Sequence, residues 1–143
     1  MKKFVVIFLM LSLLLVACTS GEAETGEASG LIVGVKTYSA ADLRALPVSE
    51  ATFKDKVYKG VAVTTLLEDA GYSLDQLQAL KAVAADGYSV NYDLPLIQKA
   101  DVIVAYAQVD GPLTAEDGQF RMVLPEEEGK LNVRMLAELQ VAP

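Results

Sequence analysis

The sequence contains no histidine and no tryptophan, and its single cysteine is Cys18. A zinc site with nitrogen or sulfur ligands, a haem held by histidine, and a Ser-His or Cys-His nucleophile all need side chains that are missing after Cys18. One cysteine also cannot build a disulfide framework. Only carboxylates, tyrosines, lysines and arginines remain for acid or base chemistry.

Positive charge is scarce as well. The chain has twelve basic and nineteen acidic residues, which gives a formal charge of −7. Without Lys2 and Lys3 it has ten basic and nineteen acidic residues, and the formal charge becomes −9. A surface of this sign repels nucleic acid and anionic lipid headgroups. The composition therefore predicts no nucleic-acid partner.

The N-terminus has the pattern of an export signal. Met1-Lys2-Lys3 is basic, and the following 14 residues, Phe4 to Ala17, are apolar apart from Ser12. A helix of that length reaches about 21 Å, which is less than the roughly 30 Å of a bilayer core. The segment therefore predicts a secretory signal and not a transmembrane helix.

Cys18 closes the run Leu15-Val16-Ala17-Cys18. This run resembles the lipobox of bacterial lipoproteins, whose cysteine is acylated and becomes the first residue of the mature protein. The resemblance implies a signal peptide at 1–17, lipidation of Cys18, and a place on the cell membrane or outer membrane, facing outside the cytoplasm. The alternative is an ordinary signal peptide with a cysteine near its cleavage site.

The rest of the chain divides into a tether and one domain. Residues 18–30 are small or acidic after the cysteine, and they offer too little apolar surface to offset the entropy of ordering. Residues 31–143 have the length of one ordinary domain. We therefore predict a flexible tether at 18–30 and a single folded domain at 31–143.

The domain alternates between strand and helix patterns, which predicts an α+β fold with a mixed β-sheet and short helices. The run 101–107 is nearly continuous in apolar residues and should be a central strand covered on both faces. Asp86-Gly87 predicts a tight hairpin turn, and Gly71 predicts a helix end. The predicted strands are 31–35, 48–53, 80–85, 88–92, 101–107, 120–124 and 138–142, and the predicted helices are 39–46, 63–70, a turn after Ser73, 94–100 and 132–136.

Several short segments occur in the order found in one known family. They are Tyr58-Lys59-Gly60-Val61, Leu66-Leu67, Ala70-Gly71, Asp86-Gly87-Tyr88-Ser89, Leu94-Pro95-Leu96, the run Asp101 to Tyr106, Asp110-Gly111-Pro112-Leu113, Gly118 with Phe120 to Pro125, and Val133 to Leu136. Taken together, they resemble the molybdopterin-binding domain of the sulfite oxidase family. The resemblance implies that family's mixed fold, whose larger members hold molybdenum on a pterin dithiolene and carry out oxygen-atom transfer or reduction.

The same resemblance exposes departures from the family pattern. The metal-binding cysteine of the family precedes the aromatic-x-Gly-Val segment, where this chain has only the short interval 54–57 without cysteine. Asp117 occupies the position at which members of the family often have a histidine. Leu131 occupies the position at which a phosphate-binding lysine is expected. Glu126 to Glu128 lie where the resemblance brings a dianionic phosphate, and like charges there would oppose binding.

Five residues are candidates for ligand binding: Asp86, Tyr88, Arg121, Lys130 and Arg134. Four of them, all but Arg121, have a simpler explanation. The aspartate suits a tight turn, tyrosines on strands commonly pack, and Lys130 and Arg134 could neutralise Glu126 to Glu128. An open cleft between the Asp86 turn and the Lys130 loop would favour a ligand, whereas a filled one would favour a protein partner.

Two functions remain open from the sequence. The preferred one is a membrane-anchored extracytoplasmic lipoprotein whose reduced molybdopterin-binding-type domain binds a small ligand or a protein partner without molybdenum. The alternative is a molybdopterin-dependent oxidoreductase or cofactor-binding subunit that keeps the pterin site. A structural spacer is a third idea. The sequence identifies no catalytic and no metal-ligating residues, and it leaves open whether the protein is an enzyme.

Overall fold

A computed structural model of the protein describes residues 30–143. The predicted signal peptide, Cys18 and nearly all of the predicted tether lie outside the described residues. Within the described part, no helix combines the length and the apolar character needed to cross a membrane.

Short strands dominate the described domain. The strands are β1 (Leu31–Val33), β2 (Lys36–Tyr38), β3 (Ser49–Phe53), β4 (Lys56–Ala62), β5 (Ala79–Ala84), β6 (Ser89–Tyr92), β7 (Ile103–Gln108), β8 (Gly111–Pro112), β9 (Arg121–Val123) and β10 (Leu136–Ala142). The α-helices are α1 (Ala40–Ala45), α2 (Val63–Asp69) and α3 (Leu94–Ile97), and 3-10 turns cover Leu74–Gln76 and Gly129–Leu131.

The strands form two sheets. The first has the order β2-β1-β10-β5-β6, in which β1 and β10 are parallel and the other neighbours are antiparallel. The second has the order β3-β4-β7-β8, and β9 also pairs with β7. The predicted mixed architecture with short helices is confirmed, although it is divided between two sheets.

The main core lies between the two sheets. Leu31, Leu80 and Leu139 of the first sheet share one buried cluster with Val104 and Met122 of the second. Because side chains alternate along a strand, the neighbours of Val104 and Met122 face the other way. That outer face of the second sheet carries a smaller buried cluster, made of Ala51, Tyr58, Ile103, Ala105 and Val123, with Phe53 and Leu113 against it.

Local signals explain the helix boundaries and the hairpin. Ser39 caps α1 through a reciprocal capping box with Asp42. Gly71 follows α2 with φ of +94°, and Gly87 has φ of +91° in the turn between β5 and β6. Both glycines therefore occupy the left-handed conformation that the sequence predicted for them.

The central-strand prediction is confirmed, because β7 is buried on both faces between β4 and the pair β8 and β9. The predicted helix at 132–136 is wrong. The helical turn comes earlier, at Gly129–Leu131, and Asn132 then leaves helical geometry with φ of −85° and ψ of 71°. The helix predicted at 94–100 ends at Ile97.

The sequence patterns missed β2, β4 and β8. In β4 the two lysines and Gly60 interrupt the expected alternation. Gly60 is nevertheless required there, since a Cβ atom would collide with the backbone of Val104 and Ala105 on β7. Pairing with neighbouring strands, rather than the local sequence pattern, therefore makes this segment a β-strand.

Candidate functional site

Two adjoining clefts open on one side of the domain. The larger cleft has a volume of about 800 Å³ and is lined by 53–56, Tyr58, 114–117, Arg121, Gly129, Asn132 and Arg134. The smaller cleft has a volume of about 740 Å³ and is lined by Ala84, Asp86, Tyr88, Glu116, Gly129, Lys130 and 132–135. The clefts share Glu116, Gly129, Asn132 and Arg134, and so form one continuous depression.

A buried ion pair lies in the larger cleft. Arg121 projects from the outer face of the second sheet, and its Nη1 donates to Oδ1 of Asp117 at 2.6 Å. Only 5% of the arginine side chain and 6% of the aspartate side chain are exposed. Charges this deeply buried are tolerated in proteins when they are paired and hydrogen-bonded.

Two aromatic rings accompany the arginine. The guanidinium lies 4.6 Å from the ring centroid of Tyr58 and 5.8 Å from that of Phe53. Nη1 also donates to the hydroxyl of Tyr58 at 3.0 Å, and Nε donates to the carbonyl of Met122 at 3.3 Å. The larger cleft therefore combines a fixed guanidinium with flat apolar surface.

Asn132 holds the boundary of both clefts in place. Its buried amide oxygen accepts from the backbone N–H of Leu124 at 2.7 Å, and its Nδ2 donates to the carbonyls of Leu124 and Glu128. These bonds fix the loop 125–131 against β9. A buried amide with both ends satisfied is well suited to define one loop conformation.

The candidate residues from the sequence fall in both clefts. Arg121 lies in the larger cleft, Asp86, Tyr88 and Lys130 lie in the smaller cleft, and Arg134 lies in both. The smaller cleft is open, as the ligand-binding hypothesis requires.

The groups in the smaller cleft already have protein partners. Oδ1 of Asp86 accepts from the backbone N–H of Tyr88 at 3.0 Å, which is the turn role that the sequence also allowed. The hydroxyl of Tyr88 donates to the carbonyl of Lys130 at 2.8 Å. Lys130 pairs with Glu128 at 2.8 Å and Arg134 with Glu116 at 3.3 Å, and all four of these side chains are largely exposed.

Pairing between Lys130 and Glu128 shifts the pKa values of both side chains. The hydrogen bond and charge of Lys130 hold the pKa of the Glu128 carboxyl below its ordinary value, and Glu128 raises the pKa of Lys130 in return. Salt and solvent screen such an exposed pair strongly. The pair confirms the neutralising role for Lys130, whereas Arg134 neutralises Glu116 and not the run 126–128.

Within the acidic run, Glu128 reaches a cleft through its pair with Lys130, so the expected repulsion of a phosphate there is confined to this one glutamate. Glu126 and Glu127 lie within 3.1 Å and 3.7 Å of Lys99 Nζ, on the side of α3. None of the three glutamates lines either cleft.

The clefts are instead rich in positive charge. Residues 30–143 contain ten basic side chains, and five of them line the two clefts: Lys54, Lys56, Arg121, Lys130 and Arg134. Four acidic residues line the same surface: Asp55, Asp86, Glu116 and Asp117. The whole protein has a formal charge of −7, whereas the basic residues around the clefts slightly outnumber the acidic ones.

Comparison with known proteins identifies the family. The profile described as "Oxidoreductase molybdopterin binding domain" matches residues 28–143, which is most of the chain. The chain belongs to this family, as the sequence resemblance predicted. No significant match was found among curated proteins.

A solved structure shows the same fold. The sulfane dehydrogenase SoxCD from Paracoccus pantotrophus matches with a TM-score of 0.69 and 21% sequence identity, over 86% of this chain and 40% of that chain. The present chain thus spans about two fifths of that relative's length. At this identity the likeness establishes the fold, which is the molybdopterin-binding fold that the sequence predicted.

The described residues fit the family cofactor only in part. A cleft of about 800 Å³, lined by aromatic rings together with four basic and three acidic side chains, has room and polar contacts for a flat ligand. However, no cysteine lies in 30–143, and no cluster of three acidic residues there could hold a metal ion. The β3–β4 turn consists of Lys54 and Asp55, so it has no room for a ligand-bearing loop. The donor set therefore does not fit thiolate-bound molybdenum.

Sequence reasoning did not include Asp117, Tyr58 or Asn132 among the candidate ligand-binding residues. In the sequence, Asp117 stands out only as a departure from the family pattern, and Tyr58, like other tyrosines on strands, is expected to pack. Tyr58 is indeed 97% buried, yet its hydroxyl binds Arg121. The spacing of four between Asp117 and Arg121 carried no signal, because that pattern indicates an ion pair only on a helix and these residues lie in a loop and a strand.

Proposed function

We propose that this protein is a membrane-anchored extracytoplasmic lipoprotein whose domain binds a small ligand or a protein partner without molybdenum. The observation that carries the proposal is the larger cleft, which has a buried charged pair and two aromatic rings but no sulfur ligand among the described residues. The cleft supports binding. The missing donor weighs against the metal chemistry of larger relatives.

The first test measures the cofactor directly. The full chain is produced in cells that make molybdopterin, and molybdenum is measured by elemental analysis and pterin by fluorescence after oxidation. The same chain from cells unable to make molybdopterin gives the background. The proposal expects equal, background values in both samples. Stoichiometric molybdenum in the first sample would contradict it.

The second test addresses binding. A screen of small molecules should contain compounds that raise the melting temperature, because a ligand that binds only the folded state stabilises it by mass action. Arg134→Met is a suitable companion variant, since this exposed residue lines both clefts and its loss leaves the buried pair intact. Compounds bound in the clefts should lose part of their effect on this variant. A spacer function expects no shift with any compound.

The alternative function is a molybdopterin-dependent oxidoreductase or a cofactor-binding subunit. Family membership and the five cationic side chains around the clefts favour it. Pterin found without molybdenum would support a cofactor-binding subunit, because basic side chains around the clefts could hold the pterin while residues 30–143 offer no thiolate for the metal. Pterin together with metal would support the oxidoreductase.

The anchor has its own test. The motif around Cys18 supports lipidation, so Cys18→Ala should release the protein from the membrane fraction or leave an uncleaved precursor. Cys18→Ser provides a second variant with nearly the same side-chain volume. Unchanged fractionation of both variants, with a band of mature size, would contradict the lipid anchor.

A further inference from the structure

The buried pair in the larger cleft has one donor group and one acceptor atom without a hydrogen-bond partner among residues 30–143. Nη1 of Arg121 donates to Asp117 and Tyr58, and Nε donates to the Met122 carbonyl. Nη2 makes no hydrogen bond to any residue in 30–143, and Oδ2 of Asp117 accepts none from those residues. Buried polar groups in folded proteins rarely lack partners, so these two atoms mark a place for a bound group.

The two free atoms define what that group must offer. Nη2 needs an acceptor, whereas the ionised carboxylate at Oδ2 needs a donor. The paired side chains neutralise each other, so a carboxylate ligand would satisfy Nη2 but be repelled by Asp117. A cationic ligand would satisfy Asp117 but be repelled by Arg121. An uncharged group that carries both a donor and an acceptor satisfies both atoms without repulsion from either charge.

We propose that the buried end of the larger cleft binds an uncharged carboxamide or lactam edge attached to a flat apolar body. The rings of Phe53 and Tyr58 supply the surface for that body. This inference rests on the proposed ligand-binding function and names the class of ligand. It concerns this chain in particular, because the acceptor is Asp117.

Three probes of the same shape separate the possibilities. Benzamide carries a donor and an acceptor, benzoate carries acceptors only, and benzamidine carries donors only. Binding to the full chain is followed by NMR titration of the Arg121 side-chain N–H and the Tyr58 ring. We expect benzamide to bind about tenfold more tightly than either charged analogue, as the loss of one charge-assisted hydrogen bond implies.

Two variants each remove one negative charge from the larger cleft, one at its buried end and one at its rim. Asp117→Asn turns the free acceptor into a donor and leaves Arg121 without a counter-charge, so benzoate should become the tightest of the three probes. Glu116→Gln changes the charge of an exposed residue at the rim, and the ranking should stay as in the unmodified chain. Circular dichroism establishes that each variant is folded, and the ranking in the unmodified chain needs no variant.

Several outcomes would overturn the inference. One is benzoate or benzamidine binding the unmodified chain as tightly as benzamide, and another is no response of Arg121 and Tyr58 to benzamide at millimolar concentration. Both leave the ligand-binding function standing if other compounds stabilise the protein. Stoichiometric molybdenum would instead overturn the proposed function itself.

Discussion

The two clefts adjoin and share four lining residues, yet they differ in how they hold charge. In the larger cleft, Arg121 and Asp117 are almost fully buried and the guanidinium is fixed by Tyr58. In the smaller cleft, Lys130 and Arg134 reach solvent and pair with exposed glutamates. Exposed pairs contribute little energy and rearrange easily, whereas a buried pair defines geometry. Specific recognition should therefore depend on the larger cleft.

The largest expected difference concerns the two arginines. Arg121→Met leaves the buried Asp117 carboxylate without its counter-charge, so the free energy of unfolding should fall by about 3–5 kcal/mol. Arg134→Met, the matched variant in the exposed pair, should change it by less than about 1 kcal/mol. Urea denaturation of both variants measures this. Equal losses would contradict the contrast between the clefts.

The next largest effect is expected at Gly118, which follows Asp117 of the larger cleft in the sequence and lies against Met135 of the smaller cleft. Gly118 has φ of +75°, and a Cβ atom there would lie 2.8 Å from Cα of Met135, a residue of the smaller cleft. Gly118→Ala should therefore cost about 2–3 kcal/mol, through left-handed strain and a clash with backbone.

Gly87→Ala is the control for this variant. Gly87 has φ of +91° but no atom within 4 Å of an added Cβ, so only the conformational strain of about 1 kcal/mol remains. Thermal denaturation of the two variants isolates the contribution of the clash. A cost for Gly118→Ala no greater than that for Gly87→Ala would show that the junction tolerates movement.

A smaller effect is expected from the tyrosine hydroxyls. Tyr58→Phe removes the acceptor for one Nη1 hydrogen of a buried guanidinium and should cost about 1–2 kcal/mol. Tyr88→Phe removes a hydroxyl that is exposed and bound to the Lys130 carbonyl, so its cost should stay below about 0.5 kcal/mol. Chemical denaturation measures the free energy of unfolding of both variants. A larger loss for Tyr88→Phe than for Tyr58→Phe would contradict the conclusion that the larger cleft has the more fixed geometry.

The smallest effect is a change in titration. Lys130 lowers the pKa of Glu128 from its ordinary value of 4.5, so this pair stabilises the fold above the unfolded-state pKa and loses that contribution as the pH falls through the folded-state pKa. In Lys130→Met the pKa of Glu128 should rise towards 4.5. Carboxyl NMR titration measures the shift. Lys99→Met is the control, because Lys99 pairs with Glu126 and Glu127 and should leave Glu128 unchanged.

Local sequence signals predicted the fold where short-range chemistry determines it. The helix start predicted at residue 39, the Gly71 helix end and the Asp86-Gly87 turn all depend on neighbours within a few residues, and all three are present. β4 was missed because its strand state comes from pairing with β3 and β7. The division into two sheets could not be predicted, since periodicity shows which face is buried but not which strands are neighbours.

The candidate site divides in the same way. Charge and turn patterns led to Asp86, Tyr88, Lys130 and Arg134, which line the cleft with exposed pairs. The buried partner of Arg121 could not be found from the sequence, because burial and the turn at Gly118 bring Asp117 beneath the guanidinium. The conformation of the loop 125–131 depends likewise on Asn132, whose side-chain bonds to the backbone cannot be inferred from a linear pattern.

The position of β10 has a consequence for the order in which the chain can fold. This strand is the last element of the sequence, yet it lies in the middle of the first sheet, between β1 and β5. The β1–β2 and β5–β6 hairpins can form before β10 is synthesised, but within the first sheet they are joined only through β10. The β1–β10 pairing spans more than a hundred residues, from Ile32 to Glu138, and contacts so distant in sequence form slowly. A nascent chain in which β10 has not yet been made would therefore keep its first sheet divided, with the inner edges of β1 and β5 open to other chains.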